Sequence, residues 1–184
     1  MTAPLPRRPR RWIGFFVVLT VLSTGAIVTN LVYNLSIQLR PEQLAEAQRR
    51  WRENAPTDYD LEYLVEVTRE AETEPDKSAY LVKVRGGRVV LVVDNDTVVY
   101  LEPSLAVVAG PAPLSVSSED PGRYGVAALF EQIETALRQD ETTGRRNFAT
   151  AKFDAKDGHP FHYVRRVRGT KDRVEWNVKL TRVE

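Results

Sequence analysis

The stretch YDLEYLVEV, residues 59–67, decides the fold. Along it, apolar side chains at the odd-numbered positions alternate with side chains that are mostly polar at the even-numbered positions. Successive side chains of a β-strand point to opposite faces, so the odd-numbered residues from Tyr59 to Val67 would share one face. A strand with one apolar face belongs to a sheet that buries this face and leaves the other to solvent. The stretch therefore predicts a half-buried strand on which other elements pack.

A β-hairpin is predicted at residues 80–93, where two runs rich in β-branched residues flank Gly86 and Gly87. Two glycines favour a two-residue turn, because a positive φ costs glycine little. This turn fixes the expected register of the hairpin. The predicted pairs are Val84–Val89, Val82–Leu91 and Tyr80–Val93 on one face, with Arg85–Arg88 and Lys83–Val90 on the other.

Two amphipathic helices accompany these strands. Residues 41–53 begin with a proline and end in basic residues, as a short helix does. Apolar residues recur at helical spacing from Val126 to Leu137 and predict a second helix. Further strands are predicted at 97–101, 148–153, 161–167 and 174–180, with 105–108 as a short edge strand in a long connection rich in proline and glycine.

The order of elements is helix, four strands, long connection, helix and three strands. Such an order predicts an α+β domain, in which an antiparallel sheet of about six to seven strands carries both helices on one face.

An apolar stretch precedes this domain at residues 12–33, WIGFFVVLTVLSTGAIVTNLVY, which has no charged residue. At 1.5 Å per residue it would cover about 33 Å, against about 30 Å for the hydrocarbon core of a bilayer. We therefore expect a single transmembrane helix at 12–34, with a cleaved signal peptide or a buried helix as alternatives. The expected anchor residues are Trp12, Phe15, Phe16, Leu22, Leu31 and Tyr33.

The charges beside the stretch predict its orientation. Arginines directly before it would keep residues 1–11 in the cytoplasm as a basic N-terminus and export residues 35–184. The expected location is the bacterial inner membrane, crossed once with the N-terminus inside. These topology residues are Arg7, Arg8, Arg10 and Arg11.

Composition excludes several functions. Residues 41–184 hold 21 Lys+Arg and 25 Asp+Glu, so the domain lacks the basic footprint of a nucleic-acid-binding protein. The chain has no cysteine, which excludes disulfides, thiolate metal sites and a cysteine nucleophile.

Several segments of the domain resemble a bacterial family, the domain of unknown function 6174. They are the helix ending in Trp51, the strand opening at Tyr59, and the segments VKVRGGRVV at 82–90, LFEQIETAL at 129–137 and FDAKDGHP at 153–160. The resemblance covers about residues 41–184. It implies an exported domain, often attached to a membrane, for which no activity is established and no catalytic residue can be assigned.

Candidate catalytic groups are few. Asp154, Asp157 and His159 form a local polar cluster, but Asp157-Gly158 is typical of a hairpin turn, and zinc requires three or four convergent ligands. We expect a turn with surface histidines, His162 pointing away from His159. Glu62 and Glu66 would share a strand face near Asp60, which favours a solvated face over a carboxylate pair. No catalytic residue, metal or cofactor is predicted.

A basic cluster surrounds the last hairpin turn. It could contact an acidic partner or anionic lipid, or discourage pairing at the sheet edge. The cluster consists of Arg165, Arg166, Arg168, Lys171 and Arg173. Aromatic side chains at inward positions are expected in the core rather than in a binding groove. These are Trp51, Tyr59, Tyr63, Phe161, Tyr163 and Trp176.

Together these patterns predict a membrane-anchored, extracytoplasmic module that binds another envelope protein or a ligand and has no catalytic activity. One alternative is a small hydrolase or metal-dependent enzyme that uses Asp154, Asp157 and His159. Another alternative is a bitopic subunit of a larger membrane complex.

Overall fold

The computed structural model describes residues 10–102, 120–144 and 147–183, and the chain divides into two compact units at residues 1–38 and 39–184. The first unit contains helix α1 (Arg10–Ser36). The second contains helices α2 (Pro41–Asn54) and α3 (Val126–Thr142), with a short 3-10 helix at Pro121–Tyr124. Its strands are β1 (Tyr59–Thr68), β2 (Asp76–Arg85), β3 (Arg88–Asp94), β4 (Thr97–Leu101), β5 (Phe148–Phe153), β6 (Pro160–Arg166) and β7 (Arg173–Arg182).

These strands form one seven-stranded antiparallel sheet in the order β4-β3-β2-β1-β7-β6-β5. The alternating stretch becomes β1 and lies at the centre of the sheet, between β2 and β7. The α+β architecture and the order of elements predicted from the sequence are confirmed. The predicted edge strand at 105–108 lies outside the described residues.

Helices α2 and α3 cover one face of the sheet. On β1, Leu61 aligns with Val82 on one side and Leu180 on the other, and Tyr63 aligns with Tyr80 and Val178. The apolar sides of both helices join these residues in one core. Its helical members include Leu44, Ala47, Val126, Leu129, Phe130 and Ile133. The opposite face, called the second face below, carries Asp60, Glu62, Leu64 and Glu66 of β1.

The β2–β3 hairpin departs from its predicted register. The pairs nearest the turn are as predicted, but Lys83 then pairs with Leu91 and Val82 with Val92, because Val90 is inserted as a β-bulge. The predicted pairs Val82–Leu91, Tyr80–Val93 and Lys83–Val90 are therefore wrong. Strand β3 is apolar on both faces, so the alternation of apolar and polar residues could not specify its register. The bulge places both Val90 and Val92 in the buried set.

The predicted transmembrane helix is also wrong. Within the parts of the chain that the structure describes, no helix has the length and apolar character required to cross a membrane. The prediction for 12–34 relied on the length of the stretch, its lack of charged residues and its flanking residues, although the stretch also contains polar residues. These include Thr20, Ser23, Thr24, Thr29 and Asn30.

Candidate functional site

A cavity of about 610 Å³ opens among several elements of the second unit. They are the end of α2, the start of β1, the β2–β3 hairpin, β4 and the start of α3 with its preceding 3-10 helix. The walls are mainly aromatic and aliphatic. They comprise Trp51, Ala55, Pro56, Tyr59, Val84, Val89, Tyr100, Pro121, Val126 and Ala127, with Gly87, Gly122, Gly125, Arg88 and Glu102.

Trp51 forms one wall because α2 turns its apolar stripe, with buried Leu44 and Ala47, toward the sheet. Its indole meets the ring of Tyr59 edge-to-face, with centroids 5.7 Å apart and planes at 84°. Burial raises the pKa of Tyr59, and a hydrogen bond with the backbone of Val126 opposes part of this rise. Tyr59 is thus neutral at physiological pH and ties β1 to the start of α3.

The hairpin turn is held beside the cavity by the connection between α2 and β1. The Gly86 amide donates to the Asp58 carboxylate at 2.7 Å, and the Gly87 amide donates to the Thr57 carbonyl at 2.8 Å. Both glycines have positive φ, 56° and 74°, as the predicted turn requires. This anchoring fixes Gly87, Arg88 and Val89 as one side of the opening.

The charged residues of the lining are Arg88 and Glu102, and the remaining lining side chains are uncharged. The cavity therefore offers ring faces and aliphatic surface, with one cation and one anion among its contacts. Residues 103–119, which connect Glu102 to Asp120 and Pro121, lie outside the described residues.

The polar cluster considered in the sequence is brought together by the β5–β6 loop. Asp154, Asp157 and His159 each place a possible ligand atom within 4.8 Å of the others. Asp157 is 2% exposed and His159 is 9% exposed. The prediction of surface histidines is therefore wrong for His159. His162 is partly exposed and contacts Asn177 through Nδ1 at 2.9 Å.

Existing contacts occupy the oxygens of Asp157. Its Oδ1 lies 2.5 Å from Nδ1 of His159 and accepts from the His159 amide at 3.1 Å, while Oδ2 accepts from Arg182 at 2.8 Å. Burial opposes ionisation of Asp157, but the hydrogen bonds from His159 and Arg182 outweigh it and lower its pKa. Asp154 accepts from the backbone amides of Lys156 and Asp157. A metal held by these three residues would have to displace His159 and Arg182 from Asp157, so the arrangement fits a metal poorly.

The same loop packs directly on α2. A Cβ atom at Gly158 would lie 2.4 Å from the carbonyl oxygen of Ala47 and 2.9 Å from Cβ of Arg50, and Gly158 has a φ of 83°. His159 in turn contacts Trp51 edge-to-face, with ring centroids 6.5 Å apart. The sequence signals for this packing were Gly158 and the apolar stripe of α2. No pattern in the sequence indicated that these two segments contact each other.

The predicted basic cluster is divided by its ion pairs. Arg165 is partly buried and binds Asp140 of α3, with Nη2 and Oδ1 2.5 Å apart, and Arg173 pairs with Glu175 on β7. Arg166, Arg168 and Lys171 are exposed. Any contact of this cluster with a partner would therefore depend mainly on these three side chains.

The carboxylates of β1 each lie near a cation on the second face. Asp60 is 2.7 Å from Arg85, Glu62 is 3.5 Å from Lys179, and Glu66 is 3.5 Å from Lys77. Their partners are residues of the flanking strands β2 and β7. The three carboxylates thus form a ladder of ion pairs rather than a converging acid–base pair.

Other residues singled out in the sequence lie as follows. Tyr59, Tyr63, Tyr163 and Trp176 are buried as predicted, Trp51 is half-buried, and Phe161 is exposed, contrary to the prediction. On α1, the side chains of Trp12, Phe15, Phe16, Leu22 and Tyr33 are exposed. Arg7 and Arg8, and the side chains of Arg10, Arg11 and Leu31, lie outside the described part of the chain.

No protein-family model, curated protein or solved structure matches the chain. The resemblance to the domain of unknown function 6174 accordingly stays a prediction.

Proposed function

We propose that residues 39–184 form a non-catalytic binding module whose ligand occupies the cavity beside Trp51. The observation that carries this proposal is the cavity itself, about 610 Å³ in volume with aromatic walls from three separate elements. Pockets for small ligands typically have volumes of about 300–1,000 Å³ and are lined mostly by apolar and aromatic side chains.

The lining favours a flat, largely apolar ligand. Trp51, Tyr59 and Tyr100 present rings from α2, β1 and β4, and planar molecules gain both buried area and ring contacts from such walls. At the same site Arg88 can donate a hydrogen bond to a ligand and Glu102 can accept one. Among the described lining residues the ionisable side chains are Arg88, Glu102, Tyr59 and Tyr100.

A fluorinated aromatic probe, 6-fluoroindole, tests the proposal with the full chain. We expect its 19F resonance to shift or broaden on adding the protein, with a dissociation constant on the order of 1 mM or tighter. Ala127→Phe should weaken binding about tenfold or more, because Ala127 is exposed inside the cavity and the added ring would fill it.

Thr135→Phe is the matched control, since Thr135 is exposed on the same helix, two turns farther along. Both variants add an aromatic ring to α3, so probe that binds elsewhere, including on the exposed apolar residues of α1, contributes equally to both. Equal binding by the two variants, or no binding by the unmodified chain, would contradict the proposal.

A second candidate function is binding of another protein at the second face. A groove there is lined by the apolar residues Leu64, Ala79, Leu81 and Val93 and by polar residues that include Glu62, Asp96 and Lys179. Leu64 is 37% exposed, unlike the buried Leu61 on the opposite side of β1. A partner of this face would present an apolar patch bordered by both signs of charge.

Cross-linking of the intact chain in cells, followed by identification of captured proteins, tests this second function. Leu64→Arg should abolish capture of a specific partner, whereas Thr135→Arg on α3 should leave it unchanged. Capture that is identical for both variants, or that yields only unrelated abundant proteins, would contradict an interface at the second face.

A further inference from the structure

Trp51 belongs to two regions at once, the cavity and the buried loop cluster. Its indole lines the cavity and contacts Tyr59 there. The indole also meets the imidazole of His159, with centroids 6.5 Å apart and planes at 70°. His159 thus contacts this wall of the cavity without itself lining the cavity.

His159 is held in place by Asp157 at two points. Oδ1 of Asp157 accepts from the His159 backbone amide at 3.1 Å and lies 2.5 Å from Nδ1 of its ring. An ionised carboxylate can only accept, so Nδ1 carries the proton in this contact. Arg182 at the end of β7 holds the other oxygen of Asp157 at 2.8 Å. The imidazole thus has a fixed orientation behind Trp51.

Gly158 brings this assembly close to α2. The loop backbone at Gly158 approaches Ala47 and Arg50 so closely that a Cβ atom would collide with them. Trp51 follows directly on the same helix. The loop is therefore packed against the turn of α2 that presents the indole.

We infer that His159 is a positioning residue for the cavity: its ring, oriented by Asp157 and Arg182, supports the Trp51 wall against which a ligand packs. This inference rests on the proposed binding function. It assigns the Asp157–His159 pair to ligand binding through Trp51.

Two parts of the His159 side chain have separable effects. The Nδ1 donor satisfies a buried carboxylate and so contributes to the stability of the fold. The ring supports Trp51 and so contributes to binding. His159→Asn keeps a donor near Asp157 without a ring, whereas His159→Phe keeps a ring without a donor.

Binding of 6-fluoroindole and urea unfolding, measured on the same variants of the full chain, test the inference. His159→Asn should weaken binding about fivefold, the size expected for loss of one aromatic contact, while retaining most of the stability. His159→Phe should bind within about twofold of the unmodified chain although its unfolding midpoint falls. His162→Asn is the control, because His162 lies on β6, three residues beyond His159, and contacts Asn177 instead of Trp51.

If His159 had a purely structural role, both variants would lose affinity and stability together. That result would overturn the inference, and so would undiminished binding by His159→Asn. Failure of the binding proposal is recognised separately, by equal probe binding in Ala127→Phe and Thr135→Phe.

If the binding proposal fails, 5-fluorotryptophan labelling still tests the positioning role of His159. The Trp51 resonance, assigned with Trp51→Phe, should move in His159→Asn and stay near its position in His159→Phe, and the reverse would overturn the inference.

Discussion

Two groups of carboxylates, on the β5–β6 loop and on β1, behave differently although both drew attention as sites in the sequence. Asp157 on the loop is 2% exposed, and both of its oxygens accept hydrogen bonds from charged or polar side chains. Glu62 and Glu66 on β1 lie on the second face, each with a lysine 3.5 Å away.

This difference shows that spacing in the sequence does not tell which charges matter energetically. An exposed ion pair contributes about 0–1 kcal/mol, because water and salt screen it. Removing one partner of a buried pair can cost about 3–5 kcal/mol, because it leaves the other partner desolvated without compensation. The loop should therefore respond strongly to substitution and the second face weakly.

The largest expected effect is that of Gly158→Ala. The added Cβ would meet the Ala47 carbonyl oxygen at 2.4 Å, and the φ of 83° is itself unfavourable for alanine. We expect the free energy of unfolding, measured with urea, to fall by about 3 kcal/mol.

Gly169→Ala is the matched control, because Gly169 has a φ of 86° but no described atom lies within 4 Å of its Cβ position. Gly169→Ala should lower the free energy of unfolding by only about 1 kcal/mol, the cost of holding alanine at a positive φ. Equal losses in the two variants would show that the loop does not pack on α2 as described.

Asp157→Asn should have the next largest effect. The amide cannot accept equally well from both His159 and Arg182, and Arg182 is 37% exposed and can regain water. We expect a loss of about 2 kcal/mol in the free energy of unfolding. Glu62→Gln on the second face should cost no more than about 0.5 kcal/mol, and a loss as large as that of Asp157→Asn would refute the contrast.

The pH dependence of stability sharpens the same contrast. Hydrogen bonds from His159 and Arg182 outweigh the burial of Asp157 and hold its pKa in the folded state below the ordinary 3.8. The unfolded chain then binds more protons at this carboxyl group than the folded chain does. The contribution of the Asp157 carboxylate to stability is therefore present above about pH 4 and is lost as pH falls through its pKa in the folded state. The difference in unfolding free energy between the unmodified chain and Asp157→Asn should shrink from pH 6 to pH 3, and a constant difference would contradict this assignment.

Asp94 should give the smallest effect, with the opposite sign. Burial and then the nearby charge of Asp76 raise the pKa of Asp94, and its Oδ1 is buried without a hydrogen-bond partner among the described atoms. The contribution of the Asp94 carboxyl group to stability is favourable below its pKa in the unfolded chain. This contribution is lost as pH rises through its pKa in the folded chain. Asp94→Asn should therefore slightly raise the unfolding midpoint at pH 7, and the gain should disappear near pH 3. A lowered midpoint at pH 7 would refute this explanation.

Local sequence patterns predicted much of the fold but little of the site. Alternation at 59–67 identified the central strand, and Gly86-Gly87 identified the turn, because both signals depend on neighbouring residues. The bulge at Val90 was missed because a strand that is apolar on both sides has no preferred face. The predicted membrane-spanning helix is wrong, since no helix in the described part of the chain is long and apolar enough to cross a membrane.

The cavity could not be predicted for a different reason. Trp51, Tyr100 and Val126 come from distant parts of the chain, and the packing of α2 and α3 on the assembled sheet brings them together. His159 was expected at the surface because Asp157-Gly158 resembles an ordinary turn. Its burial depends on Gly158 meeting α2, a long-range contact that leaves no periodic signal in the sequence.

Mapping of backbone amide shifts tests the central claim, that the cavity is a binding site, most directly. The full chain, labelled with 15N, would be titrated with 6-fluoroindole and followed by NMR. We expect the largest shift changes at the amides of Gly87, Gly122, Gly125 and Ala127 and at the indole N–H of Trp51. Changes confined to Leu64, Ala79 and Leu81 on the second face, or to α1, would contradict the claim.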